Sequence, residues 1–211
     1  MDIYGKKFVF LGDSITEGCG VADKANIFTN RLASEYHLEK ALNYGIGGTR
    51  IARQTGADTC AAAYCDRFAA MDADADFVIV FGGTNDYGHG NAPFGKFEDR
   101  TETTFYGALH VLMIGLITRY PHSTIVFMTP THRGWDMIPS QFNSRPLSDY
   151  VDAIKEVARY YSIPVLDLYA MGGMQPDVPI QKQLYMPDAL HPNDAGHKLI
   201  ADRLAGFLKA L

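Results

Sequence analysis

Phe8-Val9-Phe10-Leu11-Gly12-Asp13-Ser14 is an apolar run that stops abruptly on a glycine, an acid and a hydroxyl. Consecutive aromatic and branched residues with no polar alternation read as a strand buried on both faces, the habit of parallel sheets. Working outward, the pattern recurs. Phe77-Val78-Ile79-Val80-Phe81 ends in Gly82-Gly83-Thr84-Asn85-Asp86, and Thr124 to Met128 ends in Thr129-Pro130. Shorter runs cover Ala41 to Tyr44, leading into Gly45-Ile46-Gly47-Gly48, and Pro164 to Tyr169. Amphipathic stretches alternate with these runs and predict helices over Asn26 to Tyr36, Asp58 to Met71, Arg100 to Tyr120, Pro146 to Tyr161 and Asp194 to Ala210. Asp99 followed by Glu102 resembles a capping box for the third of these helices. Residues 87–98, 130–146 and 171–190 read as loops.

Strands alternating with helices predict an α/β fold: a three-layer α/β/α sandwich around a five-stranded parallel sheet, with right-handed crossovers. Periodicity does not give strand order; a flavodoxin-like 2-1-3-4-5 order is the expectation. With 211 residues and no repeat or low-complexity segment, residues 1–211 are read as one domain. Hydrophobic residues at 47% and charged residues at 20% are ordinary globular values. The net charge of −5, without a Lys/Arg run, gives no reason to expect nucleic acid or an anionic membrane as partner. Three cysteines, Cys19, Cys60 and Cys65, form neither a disulfide framework nor a zinc pattern. The apolar stretch after Lys6-Lys7 is too short for a signal peptide, so the chain reads as cytoplasmic, with no membrane anchor. Oligomeric state is not legible.

In an open parallel sheet the C-terminal strand ends share one rim, and ligands bind there. That rim collects Gly12-Asp13-Ser14, Gly45 to Gly48, Gly83 to Asp86, Thr129 to His132 and, past the fifth strand, Asp188-Ala189-Leu190-His191. Acyl transfer needs this inventory. A serine hydroxyl needs a base to take its proton, and histidine suits neutral pH. The imidazole needs a carboxylate to hold its tautomer, and Asp188 lies three residues before His191. The oxyanion needs fixed N–H donors, which Gly-rich turns and an asparagine amide supply. No metal or organic cofactor is required.

Other roles fit the same residues taken singly. Ser14 suits a helix cap, Asp13 and Asp86 suit turns that accept backbone N–H groups, and the glycines suit plain turns. A phosphate loop is disfavoured, since neither a Walker lysine nor a G-x-G-x-x-G spacing is present. Among the seven histidines, His89 and His132 are rivals to His191 on rim loops, and Asp86 precedes His89 by three residues as well. His37, His110, His122 and His197 read as surface, packing or helix-end residues. Tyr87, Phe94, Trp135, Phe142 and Tyr185 also lie on rim loops. Tyr87, His89, His132 and Trp135 are the candidate substrate contacts.

Four blocks in order resemble the SGNH hydrolase (GDSL esterase/lipase) superfamily: Gly12-Asp13-Ser14-Ile15, Asn43-Tyr44-Gly45-Ile46-Gly47-Gly48, Gly83-Thr84-Asn85-Asp86 and Asp188-Ala189-Leu190-His191. Ile15 stands where the family name has leucine. The resemblance implies a catalytic triad of Ser14, His191 and Asp188. It implies an oxyanion hole from the N–H groups of Ser14 and Gly48 and the amide of Asn85. It also assigns Asp86 to the block of Asn85, which favours His191 over His89 as the base. The expected function is a serine-dependent carboxylic ester hydrolase working through an acyl-enzyme. Its expected substrate is a small molecule, a short acyl (acetyl) ester of a sugar or other polar alcohol. Alternatives are a lysophospholipase or thioesterase of the same superfamily, a non-catalytic module that binds a polar ligand, and, more remotely, a nucleotide or flavin binder.

Overall fold

The computed structural model describes residues 1–55 and 62–211. In chain order the strands are β1 (Lys7–Gly12), β2 (Lys40–Gly45), β3 (Phe77–Phe81), β4 (Thr124–Met128) and β5 (Val165–Leu166). The helices are α1 (Ser14–Glu17), α2 (Phe28–Glu35), α3 (Tyr64–Arg67), α4 (Thr84–Gly88), α5 (Phe105–Arg119), α6 (Leu147–Tyr160), α7 (Leu168–Met171), α8 (Pro179–Tyr185) and α9 (Asp194–Ala210). The sheet is parallel throughout, in the order β2-β1-β3-β4-β5.

Period-two geometry divides the central strands between two cores. Val9, Leu11, Val78, Val80, Ile125 and Phe127 point to one face, where α3, α5 and α6 cover them. Phe8, Phe10, Phe77, Ile79, Phe81, Val126 and Met128 point to the other, under α2 and α9. Both faces are apolar, which is why these strands carry no alternation in sequence. Phe8 and Phe77 stack across β1 and β3 with centroids 4.5 Å apart.

Several boundaries differ from the sequence reading. Helix α5 begins at Phe105, capped by Thr104, whose Oγ1 accepts the Gly107 N–H at 3.1 Å. The expected Asp99–Glu102 capping box does not form. Asp99 instead accepts the Thr104 hydroxyl at 2.9 Å, and Glu102 pairs with Arg53. Strand β5 is an edge strand cut short by Asp167, which caps α7 through the Ala170 N–H. The expected loop 171–190 contains α8, started by Pro179 at its first turn. Of the expected helix from Asp58 to Met71, residues 64–67 are α-helix and Phe68–Ala70 a 3-10 turn. The part at residues 58–61, with Cys60, lies outside the described residues. His197, in the first turn of α9, is fully buried. Its Nδ1 accepts the Phe28 N–H at 3.2 Å, tying α9 to α2, and burial lowers its pKa to about 4.

Candidate active site

Ser14 is the first residue of α1, directly after β1. Asp13 caps that helix by accepting the Ile15 N–H at 3.0 Å. The hydroxyl therefore stands at the C-terminal rim on a tight strand-to-helix turn. Ser14 Oγ lies 3.1 Å from His191 Nε2, and His191 Nδ1 lies 2.7 Å from Asp188 Oδ2. Asp188 Oδ1 accepts the backbone N–H groups of Leu190 (2.9 Å) and His191 (2.7 Å). Burial would raise the Asp188 pKa, but the backbone and ring N–H groups of His191 outweigh it and hold the carboxyl below its usual range. Three residues of spacing work because Ala189 turns the chain at a φ of +64°.

Close packing holds the histidine from the other side. A Cβ at Gly20, whose φ is +94°, would lie 2.5 Å from the Pro192 carbonyl oxygen and 3.0 Å from His191 Cβ. Only glycine lets this turn approach.

The donor side is assembled from three strand ends. The Ser14 and Gly48 amides donate to no protein acceptor among the described residues. Asn85 Nδ2 donates to the Thr49 carbonyl at 3.0 Å, which leaves its second N–H and brings its amide beside the Gly48 turn. Gly47 flanks the serine: a Cβ there would lie 3.7 Å from Ser14 Cβ. Asp86 accepts the Ile51 and Ala52 N–H groups at 2.9 and 3.0 Å, so both its oxygens are occupied and it does not orient His89. Burial, opposed by those bonds, pushes its pKa up to about 6. Burial likewise raises Asp13 to about 7 against its bond to Ile15, with the charge of Asp86 adding to the rise.

Residues that the sequence reading passed over build the floor of this rim. Arg67 donates to the carbonyls of Tyr44 and Gly12, each at 2.5 Å, and Tyr64 Oη donates to the Phe81 carbonyl at 2.9 Å. Carbonyls at the C-terminal ends of β1, β2 and β3 are thus satisfied by α3. No sequence signal marks a tyrosine and an arginine for that work. Arg133 is the other omission. Its Nη1 donates to the Thr84 carbonyl at 3.1 Å, and the next residue, Gly134, donates to the Ala189 carbonyl at 2.7 Å. The 130–146 loop therefore bridges the Asn85 helix and the Asp188–His191 turn. Burial lowers the Arg133 pKa.

The four candidate substrate contacts part company. Tyr87 is buried, and its hydroxyl donates to the Ile138 carbonyl at 2.8 Å, pinning the 130–146 loop. His89 is exposed, and its carbonyl accepts Arg50. His132, for which no aspartate lies three residues earlier, finds one four residues later: its Nδ1 is 2.7 Å from Asp136 Oδ2. Trp135 is 74% exposed at a φ of +56°. That conformation costs an L-residue about 1–2 kcal/mol. The bonds that hold it come from Asp177, which accepts the Trp135 N–H at 3.2 Å, and from Tyr87, which donates to its carbonyl at 3.2 Å. A cavity of about 330 Å³ beside this residue is lined by Gly134, Trp135, Pro176, Asp177, Lys182, Asp188 and Ala189. Larger hollows of about 580 and 690 Å³ lie over α6 and between α7 and α9, and no residue of the serine site lines either.

A serine, an imidazole and a carboxylate in line at the C-terminal edge of a parallel sheet form the arrangement of the Ser-His-Asp hydrolases. The chain belongs to the GDSL-like Lipase/Acylhydrolase family, whose profile matches residues 10–199. A crystal structure of a protein from Lactobacillus plantarum is 37% identical, with a TM-score of 0.88, covering 99% of this chain and 98% of that one. Two more distant structures share the fold. A member of the lipolytic G-D-S-L family from Veillonella parvula is 18% identical (TM-score 0.65, covering 97% and 99%). An acetyl xylan esterase is 19% identical (TM-score 0.63, covering 95% and 98%). Comparison with curated protein sequences finds no significant match. Among the described residues, no helix is long and apolar enough to cross a membrane.

Proposed function

We propose that this protein is a serine esterase that hydrolyses short acyl esters of a polar alcohol through an acyl-enzyme. The observation that carries the reading is the unbroken line from Ser14 Oγ to His191 Nε2 (3.1 Å) and from His191 Nδ1 to Asp188 Oδ2 (2.7 Å). Ser14 attacks the ester carbonyl while His191 takes its proton. Asp188 keeps the imidazole in the tautomer that leaves Nε2 unprotonated, then stabilises the imidazolium. The tetrahedral oxyanion is held by the Ser14 and Gly48 amides and the second N–H of Asn85. The alcohol leaves with the proton from His191, and water releases the acid by the same steps. The distant structural likeness to an acetyl xylan esterase is in keeping with a short acyl group on a saccharide.

The test is an ester panel of varied acyl chain and leaving group, run with wild type and Ser14→Ala. The expectation is a preference for acetyl over long-chain esters, and loss of that activity in the variant. Full activity in Ser14→Ala would remove the serine from the mechanism. No activity and no reaction with a serine-directed phosphonate in wild type would favour a non-catalytic binding module. A second reading, lysophospholipase or thioesterase, draws on the exposed Met137, Ile138 and Phe142 of the 130–146 loop. Faster cleavage of long-chain than of acetyl nitrophenyl esters would select it.

A further inference from the structure

We propose that the cavity behind the Asp188–Ala189 turn is the subsite for the alcohol half of the substrate, and that it takes one sugar ring stacked on Trp135. The inference deepens the esterase reading and rests on it for the bond that is broken, but the subsite itself is a binding property.

Three independent features meet there. First, the cavity lies against the turn that carries the base. Asp188 and Ala189 line it, and the same turn aims His191 Nε2 at Ser14. When the ester C–O bond breaks, the leaving oxygen takes the proton that His191 received from Ser14. The group attached to that oxygen must then lie on the histidine side of the serine. Gly134 keeps this wall thin: a Cβ there would lie 2.9 Å from Ala189 Cβ.

Second, Trp135 is displayed rather than buried. It is the chain's only tryptophan, it is 74% exposed, and its left-handed backbone is held at the N–H by Asp177 and at the carbonyl by Tyr87. An indole of this size normally hides most of its surface.

Third, the polar groups around it are unused. Lys182 Nζ and Asp177 Oδ2 make no hydrogen bond or ion pair among the described residues, although both residues line the cavity. An acyl chain in this space would strip water from a lysine and two carboxylates with nothing in return. A pyranose matches it: its C–H face covers the indole, and its hydroxyls reach the ammonium and the carboxylate. At about 330 Å³ the cavity is at the small end for ligand sites, which run from about 300 to 1,000 Å³, and suits one ring rather than a chain of them.

A single tryptophan makes the test direct, because fluorescence excited at the red edge, where the 12 tyrosines do not absorb, reports this position alone. Ser14→Ala protein is titrated with methyl xylopyranoside and methyl glucopyranoside, free and acetylated, and separately with octanoate. A saturable change with a pyranoside and none with octanoate is expected. A response to octanoate alone, or to none of the ligands, overturns the inference. In wild type, Trp135→Ala is expected to lower kcat/KM for an acetylated pyranoside roughly tenfold, the worth of one stacked ring. The loss should fall in KM, and Trp135→Tyr should restore most of it. Ethyl acetate, whose alcohol is too short to reach the indole, should be cleaved within about twofold of wild type. Equal losses on both esters would assign Trp135 a structural role and overturn the inference. If wild type cleaves no ester, the esterase reading fails, while the fluorescence titration still decides the subsite.

Discussion

Two histidines in this molecule hold an aspartate in the same way. His191 Nδ1 is 2.7 Å from Asp188, His132 Nδ1 is 2.7 Å from Asp136, and both imidazoles are 24% exposed. The differences lie at the two ends of each pair. Asp188 is 55% exposed and His191 Nε2 meets a serine hydroxyl, whereas Asp136 is 2% exposed and His132 Nε2 makes no hydrogen bond to protein among the described residues. The His132 ring lies instead against Tyr169, centroids 3.8 Å apart, and Asp136 also accepts the Arg133 N–H at 3.2 Å while its carbonyl accepts Leu147. One pair is open to a reacting group, and the other staples the 130–146 loop to α6. A His–Asp contact is therefore not a functional signature by itself; the atom facing Nε2 decides what the pair can do.

The two pairs should separate most widely at their histidines. His191→Ala is expected to lower kcat on acetyl esters by about 10⁴-fold or more, and His132→Ala by less than about tenfold. Initial rates settle it, and similar losses would abolish the distinction. The carboxylates should separate along two axes. Asp188→Asn loses about 10²–10⁴ in kcat because the tautomer is no longer held. Asp136→Asn should keep kcat within about tenfold while losing about 1–3 kcal/mol of stability, since a buried acceptor is impaired. Urea midpoints measured beside kcat for both variants test this pairing.

Buried groups near the first pair offer a subtler check. Asp13, raised from 3.8 to about 7, keeps a proton that the unfolded chain releases between those values, so its contribution to stability falls as pH rises through them. His197, lowered from 6.5 to about 4, refuses a proton that the unfolded chain takes up, so its contribution falls as pH drops through that window. The two slopes oppose each other between about pH 4 and 6.5. Asp86, raised from 3.8 to about 6, adds to the Asp13 slope over its own window, so Asp13→Asn should turn the net slope upward and His197→Asn should turn it downward, each by up to about 1.4 kcal/mol per pH unit. Denaturation at pH 4.5 and 6.5 would show equal, unchanged slopes if neither group is shifted. The smallest effect belongs to Tyr87→Phe. Loss of its bonds to Ile138 and Trp135 should cost about 0.5–1.5 kcal/mol and lower the fluorescence anisotropy of Trp135.

Much of the architecture was legible because buried parallel strands cannot hide their composition. Phe77–Phe81 and Thr124–Met128 match their sequence bounds, and α9 does as well. The edge strand β5 and the start of α5 did not, because Asp167 and Thr104 end or begin those elements through side-chain bonds that periodicity does not register. The site divides in the same way. Ser14, Gly48, Asn85, Asp188 and His191 stand in motif blocks, so the sequence names them. Arg67, Tyr64 and Arg133, which satisfy strand-end carbonyls or bridge the rim loops, belong to no block.

What the chain determined alone is the central strands, the long helices and the short-range chemistry of each block, since strand burial, helical periodicity, turn glycines and the Asp188–His191 spacing are local. Only the tertiary structure decided which histidine faces the serine. Asp86 sits as near to His89 in sequence as Asp188 does to His191, but folding directs its two oxygens to the amides of Ile51 and Ala52. A buried carboxylate must satisfy its oxygens wherever donors are offered, and those donors lie more than thirty residues away along the chain.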